Sequence, residues 1–295
     1  MDTLARECFW VVAYFSHFGY PLTAFEVWKW LHNPSQSWSL ASVMTVLSTN
    51  DWLRERVAEH NGFYGFGDVA AHCRDRHTRY VDAVRKYAVL RPVVEYIGRL
   101  PGVTGVAVCN SLAYHHTTEK SDIDLFILTE PSRVWSVRLL AVSMMALLRK
   151  RPHEADRDPI CCSFFVDSTA HSIAPYKVAA DDPYLVYWAT TLIPLVERDG
   201  AFAAFRTANA WAFSEVPNHR PVVRARAFRP AIRRRFPLHV VAERTARTLQ
   251  EKKFPKRITA MQNLDTRVVV NDHVLKFHEN DRRQEIAKAL ADKLA

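Results

Sequence analysis

The sequence predicts a mixed α/β (α+β) fold, in which a mixed sheet follows a small N-terminal helical module and precedes a helical C-terminal region. Apolar residues make up 48% of the 295 residues, enough for a large core. Short apolar runs at 103–109, 125–128 and 160–166 have the length and residue types of strands. The segments around them repeat with the period of a helix, and this alternation is typical of α/β proteins.

The composition argues against several classes of protein. With 8 Gly and no fixed-period repeat, the chain resembles neither collagen nor a solenoid. The longest apolar run, 134–148, is too short for a membrane span and contains Arg138. The first ten residues lack the features of a secretory signal, and the five cysteines have no CxxC spacing, which disfavours zinc. We therefore expect a cytoplasmic protein with reduced thiols and no membrane segment.

Residues 1–68 predict a helical module that ends in a hairpin. Thr23 and Ser39 stand where helix N-caps are expected, and Asn61-Gly62 is a hairpin-turn signal. The predicted helices are 9–18, 24–31 and 40–47, and the predicted strands are 52–57 and 62–66. This order resembles a winged helix, a module that reads DNA in some proteins and contacts protein in others.

The charge of this module disfavours DNA binding. Residues 1–68 contain four Lys or Arg against seven Asp or Glu, a net charge of −3. The expected recognition helix, 40–50, contains no Lys or Arg, whereas a DNA reader must neutralise phosphates. We therefore expect a structural or protein-contacting role.

The rest of the chain divides into a helical connector, 69–100, a core, 101–180, and a basic helical region, 181–295. Pro92 predicts a break or a new start within the connector helix. The segment Arg220–Arg257 contains 13 Lys or Arg against two Glu. This surplus of 11 positive charges exceeds the net charge of +9 for the whole chain. Two interpretations stay open for this segment. It is a solvated face of packed helices, or a track for a triphosphate or an RNA backbone.

The segment with the clearest chemical pattern is 106–127. Asp122 and Asp124 are two residues apart at the start of a predicted strand, so both carboxylates face the same side while Ile123 and Leu125 face the core. A pair of ionised carboxylates at short range repels, and such pairs usually bind a divalent cation. The turn at Asn110-Ser111 precedes a short helix, whose first backbone N–H groups can hold a phosphate.

These residues resemble the fingerprint of the polymerase-β-type nucleotidyltransferase superfamily, in which a Gly-Ser turn precedes an Asp-x-Asp strand by about ten residues. The wider resemblance, over most of the chain, is to prokaryotic nucleotidyltransferase-domain proteins with a winged-helix-like front and a tail similar to LKFHENDRR. The resemblance implies that Asn110 and Ser111 bind the nucleotide. It also implies that Asp122 and Asp124 bind two Mg²⁺ ions, or Mn²⁺ in their place.

The sequence departs from this fingerprint at two positions. Asn110 stands where the family has Gly, although Asn tolerates a positive φ better than most residues. The family also places a third catalytic carboxylate on a later strand, here 160–167, where the central residue is Ser163. Asp167, on the same face, is the candidate for that role. We expect His115, His116, His273 and His278 to be structural or solvated. Two interpretations stay open for Lys276, Arg282 and Arg283, which form a surface charge cluster or reach a phosphate.

The resemblance implies an enzyme that transfers a nucleoside monophosphate from an NTP to an acceptor and releases pyrophosphate. The acceptor is not specified by the sequence, and a small molecule, an RNA and a protein are all open. The alternative is a non-catalytic regulator that uses the same fold to bind a nucleotide or RNA. A missing third carboxylate would favour that alternative.

Overall fold

The N-terminal residues form short helices packed beside a small antiparallel sheet. A computed structural model of the chain describes residues 2–220, 235–237 and 241–294. The elements of this part are α1 (Thr3–Ser16), β1 (Leu22–Thr23), α2 (Ala24–Lys29), α3 (Leu40–Thr49), α4 (Asp51–Arg54), β2 (Ala58–His60) and β3 (Phe63–Gly65). The strands pair in the order β1-β3-β2.

The predicted caps and turn of this part are confirmed. The Thr23 hydroxyl accepts a hydrogen bond from the Glu26 backbone N–H, and the Glu26 carboxylate accepts one in return from the Thr23 N–H. Ser39 caps α3. Asn61 and Gly62 both adopt positive φ and join β2 to β3. The predicted strand at 52–57 is wrong, because Asn50 caps the helical turn α4 and the strand begins only at Ala58.

A long helix, α5 (Val69–Arg99), connects this part to the central sheet. The predicted break at Pro92 is wrong, since the helix continues through it. Pro92 lies on an exposed side of α5, and so does Ala88, whose carbonyl loses its helical partner there. Water can satisfy that carbonyl, so the helix does not need to end.

The central sheet is mixed, as predicted, and has six strands among the described residues. Its elements and those that follow are β4 (Val103–Val108), α6 (Asn110–Ala113), β5 (Ile123–Thr129), α7 (Val134–Leu147), β6 (Ile160–Asp167), α8 (Pro183–Thr191), β7 (Ile193–Glu197), α9 (Ala201–Ala208), α10 (Ala210–Glu215), α11 (Glu243–Glu251), α12 (Lys256–Met261), β8 (Val268–Val270), β9 (Val274–Phe277) and α13 (Arg283–Leu294). The strand order is β7-β4-β5-β6-β9-β8, in which only β5 and β6 are parallel.

Strands β7, β8 and β9 come from the region 181–295, which the sequence predicts to be helical. The segment 184–195 is a helix only as far as Thr191, and β7 then joins the sheet beside β4. The HVLKF stretch forms β9, which pairs with β6. The sheet therefore draws strands from both of the predicted ranges 101–180 and 181–295.

Helices cover both faces of the sheet. Alternate residues of β5 show this, because Ile123, Leu125 and Ile127 belong to a core with α5 and α7. Phe126 and Leu128 face the opposite way and pack against α8 and α9. A further core joins α1, α2 and α3 to α8 and α13. None of the described helices combines the length and apolar character that a membrane span requires.

Candidate functional site

The candidate site lies where β4 ends and β5 begins. These strands are antiparallel neighbours, with Val108 opposite Leu125, so the turn after β4 lies beside the first residues of β5. The backbone N–H of Cys109 donates to the carbonyl of Asp124 at 3.2 Å. This pairing places Asn110, at the start of α6, next to the Asp124 side chain.

Asn110 has two roles in this turn. Its φ of +54° is in the left-handed region, where Asn is tolerated better than most residues. Its side chain also hydrogen-bonds the Asp124 carboxylate, which a glycine at the same position cannot do. The departure from the Gly-Ser pattern therefore supplies a polar partner for the aspartate.

Asp122 and Asp124 line the same cavity, of about 380 Å³, together with Asn110. Burial raises the pKa of Asp124 to about 6; the hydrogen bond from Asn110 opposes this shift, and the charge of Asp122 adds to it. Burial also raises the pKa of Asp122, against the opposing charges of His153 and Lys86. Two carboxylates that are costly to ionise together suit a bound cation, which would remove their repulsion. These are the residues of the cavity that fit a divalent metal ion.

The strand next to Asp124 carries no carboxylate at the matching position. Asp124 pairs with Cys161 across the parallel strands, and both Cys161 and Ser163 line the cavity. Burial, with the charge of Asp124, raises the pKa of the Cys161 thiol. The neutral thiol and the hydroxyl therefore stand where a third metal-binding carboxylate was expected.

Asp167 lies at the other end of β6, which corrects the expectation that it joins Asp122 and Asp124. It pairs with Thr129, five residues beyond Asp124 along β5, or roughly 16 Å at about 3.3 Å per residue. Its fully buried carboxylate accepts hydrogen bonds from the Ser132 N–H and from Thr169, and it contacts His273 at 2.9 Å. Although burial raises its pKa, these hydrogen bonds hold it below the ordinary value. Asp167 thus connects the loops after β5 and β6 with the loop before β9, at the end of the strands opposite to Asp124.

The C-terminal tail contributes cations to the same cavity, and two of them, Lys276 and Arg283, are buried and not at the surface as the sequence suggests. Lys276 and Arg283 are only 3% and 6% exposed, and both line the cavity. Burial, with the charge of Arg283, lowers the pKa of Lys276 to about 8. Arg283 forms ion pairs with Asp182 at 3.0 Å and with Asp281 at 2.5 Å. The sequence HVLKFHENDRR alternates in the way a strand does. This alternation is the signal that could have indicated a strand there, with Lys276 on one of its faces.

Two further charged residues of the tail, Asp281 and Arg282, line this cavity. Asp281 is a third carboxylate of the cavity, but it is committed to Arg283. Arg282 is largely exposed and pairs with Glu285 at 2.8 Å. The sequence alone did not single out Asp281.

A second cavity, of about 270 Å³, adjoins the first and is mainly apolar. Phe18, Asn110, Tyr184 and Trp188 line both cavities. The others that line the second cavity are Tyr14, Phe15, Tyr20, Ser111, Tyr114, His116 and Thr191. Ser111 is therefore on the aromatic side of the turn, and α1 supplies part of the wall.

A buried charge network holds the loop that leads to Asp122. Lys86 of α5 has no exposed side-chain surface and donates to the carbonyl of Ser121. It lies 3.8 Å from Asp82 and 3.6 Å from Asp158. Arg85 pairs with the same two carboxylates at 2.7 and 2.6 Å. The position of the aspartate pair thus depends on cations from α5.

The basic segment Arg220–Arg257 lies partly outside the described residues, which omit 221–234 and 238–240. Within the described part, Arg235 pairs with Glu130 at 2.7 Å, Arg247 with Asp272 at 2.9 Å, and Arg257 with Glu279 at 2.6 Å. These cations contact acidic residues of the same chain, as in a solvated, packed face.

A separate group of possible metal ligands lies between α2 and α10. The Nε2 atom of His32 is 3.5 Å from Asp181 and 3.7 Å from Glu215. Lys177 lies 3.8 Å from Glu215 and already supplies a positive charge, and the Asp181 side chain is largely exposed. Burial lowers the pKa of His32, which favours its neutral form, so the ion pair of this group is the one between Lys177 and Glu215.

Comparisons of the chain with protein-family models, with curated proteins and with solved structures found no match.

Proposed function

We propose that the chain is a polymerase-β-type nucleotidyltransferase, which transfers a nucleoside monophosphate from an NTP to an acceptor and releases pyrophosphate. The observation that carries this proposal is the meeting of Asn110, Asp122 and Asp124 in one cavity with the cations of the tail. Asp122 and Asp124 would hold Mg²⁺, which supplies positive charge for the attacking and leaving oxygens of an in-line displacement.

The chain's own residues then have separate tasks. Asn110 orients the Asp124 carboxylate and lines the same cavity, and in this proposal the turn at Asn110-Ser111 would contact the phosphates. Lys276 and Arg282 line the cavity and add positive charge that suits a triphosphate. Aromatic residues line the neighbouring space. Asp167 has no part in this proposal.

The N-terminal part is, in this proposal, a winged-helix-like module that packs against the transferase core and contacts protein, not DNA. The hydrophobic core around α1 also contains residues of α8 and α13. The exposed residues of α3 include Ala41, Met44, Thr45 and Ser48, none of which can neutralise a phosphate.

The test is transfer of label from α-phosphate-labelled NTPs to the three open classes of acceptor, supplied as a small-molecule extract, total RNA and the protein itself, with pyrophosphate release as the second readout. Wild-type protein with Mg²⁺ is expected to release pyrophosphate, and Asp122→Ala is expected to abolish release while the circular dichroism spectrum stays unchanged. Asp156→Ala, an exposed carboxylate in the loop before β6, is the matched control and should keep full activity. Equal activity in Asp122→Ala and the wild type would refute the assignment.

One observation favours a second candidate function, a non-catalytic regulator that binds a nucleotide or RNA. Cys161 and Ser163 occupy the strand positions beside Asp124, and Asp167 lies far along the strand. A regulator of this kind would bind NTPs without releasing pyrophosphate. Binding and release measured on the same preparation therefore separate the two functions.

A further inference from the structure

His32, in the segment after α2, is a nearly buried histidine whose hydrogen bonding is incomplete. Its side chain is only 5% exposed, and within the described part of the chain its Nδ1 atom has no hydrogen-bond partner. The polar groups around Nε2 are the Asp181 carboxylate and the Asn33 side-chain amide, both at 3.5 Å, and the Glu215 carboxylate at 3.7 Å. An ordinary N–H···O hydrogen bond is about 2.7–3.2 Å long, so Nε2 is aimed at two carboxylates without a close partner.

The fold places His32 and Glu215 next to each other. The imidazole ring stacks on Trp10 of α1, with the ring centres 4.5 Å apart and the planes 10° from parallel. The backbone N–H of Asn33 donates to the carbonyl of Glu215 at 2.7 Å, and this bond joins the segment after α2 to the last residue of α10. These two side chains are therefore positioned together without a ligand.

The distances in this group suit a small divalent metal ion. Zinc binds nitrogen and oxygen ligands at about 2.0–2.2 Å in a tetrahedron, so two ligands of one ion lie about 3.3–3.5 Å apart. Nε2 of His32 is already 3.5 and 3.7 Å from the two carboxylate oxygens, and the three ligand atoms all lie within 4.8 Å of one another. The Asp181 side chain is 70% exposed, so it is free to move closer and leaves a fourth position open to water.

The charge of the group also leaves room for a cation. Among the described residues, its two carboxylates share one ammonium group, that of Lys177. Lys177 lies 3.8 Å from Oε1 of Glu215, whereas His32 approaches Oε2. The ammonium also lies 3.9 Å from the centre of the Trp211 ring and donates to the carbonyl of Ala180 at 3.3 Å. The lysine therefore pairs with one oxygen of Glu215 and leaves the other for a metal ion.

We propose that His32, Asp181 and Glu215 bind one divalent transition-metal ion, for which Zn²⁺ is the best fit, and that this ion fastens the N-terminal part to the rest of the chain. Carboxylates alone would suit Mg²⁺ or Ca²⁺, but an imidazole ligand shifts the preference of a site toward zinc and its neighbours. His32 belongs to the N-terminal part, whereas the two carboxylates come from the loop before α8 and from α10. The site is separate from the aspartate pair and independent of the proposed function.

The experiment measures Zn²⁺ binding to the full chain by calorimetry and locates the ion in wild-type crystals soaked with Zn²⁺. Calorimetry uses the Asp122→Ala/Asp124→Ala protein, so that the aspartate pair does not bind the added ion. We expect a bound ion whose anomalous scattering gives a peak between His32, Asp181 and Glu215.

Two substitutions each remove one ligand. His32→Phe keeps a ring that can stack on Trp10 but has no nitrogen, and Asp181→Asn removes a charge. Each should weaken Zn²⁺ binding about tenfold or more, since losing even an outer partner of a metal ligand typically costs roughly 10–100-fold. His60→Phe, at an exposed histidine of the N-terminal part, is the matched control and should leave the affinity unchanged. If His32→Phe does not fold, Asp181→Asn decides the outcome, because its side chain is largely exposed.

The outcomes are distinct. A peak at this position, with affinity reduced by the ligand substitutions and kept in the control, supports the site. Zn²⁺ binding that the ligand substitutions leave unchanged, peaks only elsewhere in the crystal, or no binding at all overturns it. None of these results depends on NTP binding or pyrophosphate release, so the transferase proposal is tested separately.

Discussion

At the scale of single residues, Asp124 is unfavourable to ionise in the metal-free protein, yet the proposed function requires its charged form. Its carboxylate is partly buried beside Asp122, and Asn110 is the side chain that hydrogen-bonds it from the turn. Binding sites often retain groups whose ionisation is unfavourable until the ligand arrives. The stability of the metal-free protein and its affinity for metal should therefore change in opposite directions when this carboxylate is removed.

We predict that Asp124→Asn makes the metal-free protein more stable, by roughly 1–3 kcal/mol. The amide has nearly the same shape and no charge, so it avoids the cost that raises the pKa of Asp124 to about 6. Urea unfolding in the presence of a chelator measures the effect. Asp156→Asn, on an exposed carboxylate, should change stability by less than about 0.5 kcal/mol. A destabilised Asp124→Asn protein would contradict this account.

The same pKa predicts how metal binding depends on pH. Below pH 6 the folded protein keeps a proton on Asp124, and Mg²⁺ must displace that proton. Affinity should therefore rise between pH 5 and pH 7.5, as measured by calorimetry. In the absence of metal the sign for stability is opposite: the unfolded chain loses this proton near its ordinary pKa of 3.8, so stability falls as the pH rises from there to about 6. Equal Mg²⁺ affinity at pH 5 and 7.5 would exclude Asp124 as a ligand.

At the scale of elements, the long helix α5 determines where the aspartate pair lies. Lys86 and Arg85 on this helix hold Asp82 and Asp158, and Lys86 also binds the carbonyl that precedes Asp122. Burial lowers the pKa of Lys86, although the two carboxylates oppose that shift. Removing one member of such a network leaves uncompensated charge in the interior.

We predict that Lys86→Met destabilises the protein by about 2–4 kcal/mol, because Asp82 and Asp158 would then lose a fully buried cation that contacts both of them. The control is Arg54→Met, which removes an exposed ion pair with Asp51 and should cost less than about 1 kcal/mol. Denaturant unfolding of both variants gives the comparison. Equal effects of the two substitutions would show that the buried network does not hold the loop.

The elements that the sequence predicted correctly are those that local signals specify. The capping box at Thr23 and Glu26 and the turn at Asn61-Gly62 each involve residues within a few positions of one another. Pro92 was misjudged because its effect depends on solvent access to the carbonyl of Ala88, which the sequence does not show.

The sequence predicted those parts of the site that depend on residues close together along the chain. Alternation placed Ile123 and Leu125 in the core and Asp124 on the other face of β5. The same alternation cannot give the distance along a strand between Asp124 and Asp167, which the parallel register sets. The burial of His116 depends on Arg79 and Phe18, 37 and 98 residues away along the chain. Such contacts arise only when distant segments pack.

At the scale of the whole molecule, the N-terminal part and the sheet share one core region. Tyr187 of α8 donates from its hydroxyl to the carbonyl of Trp30 at 2.7 Å, and its ring contacts Tyr14 and Phe15. Ile286 and Leu290 of α13 pack in the same core. The aromatic cavity lies between these parts, so its shape depends on how they pack together.

We predict that Tyr187→Phe lowers the free energy of unfolding by about 1–2 kcal/mol. The substitution leaves the buried Trp30 carbonyl without its donor while the ring packing is kept. A single thermal transition should persist and shift to lower temperature. Tyr80→Phe, on an exposed ring, serves as the control and should leave the transition in place. A second transition in the variant would show that the two parts unfold separately.

The central claim is that Asp122 and Asp124 form a metal-dependent nucleotide site. The most direct test is calorimetric binding of each of the four NTPs, with and without Mg²⁺, to the wild type and to Asp122→Ala/Asp124→Ala. We predict that at least one NTP binds the wild type only with Mg²⁺ and that the double variant loses this binding while keeping its fold. No NTP binding by the wild type, or Mg²⁺-dependent binding that survives in the double variant, would contradict the claim.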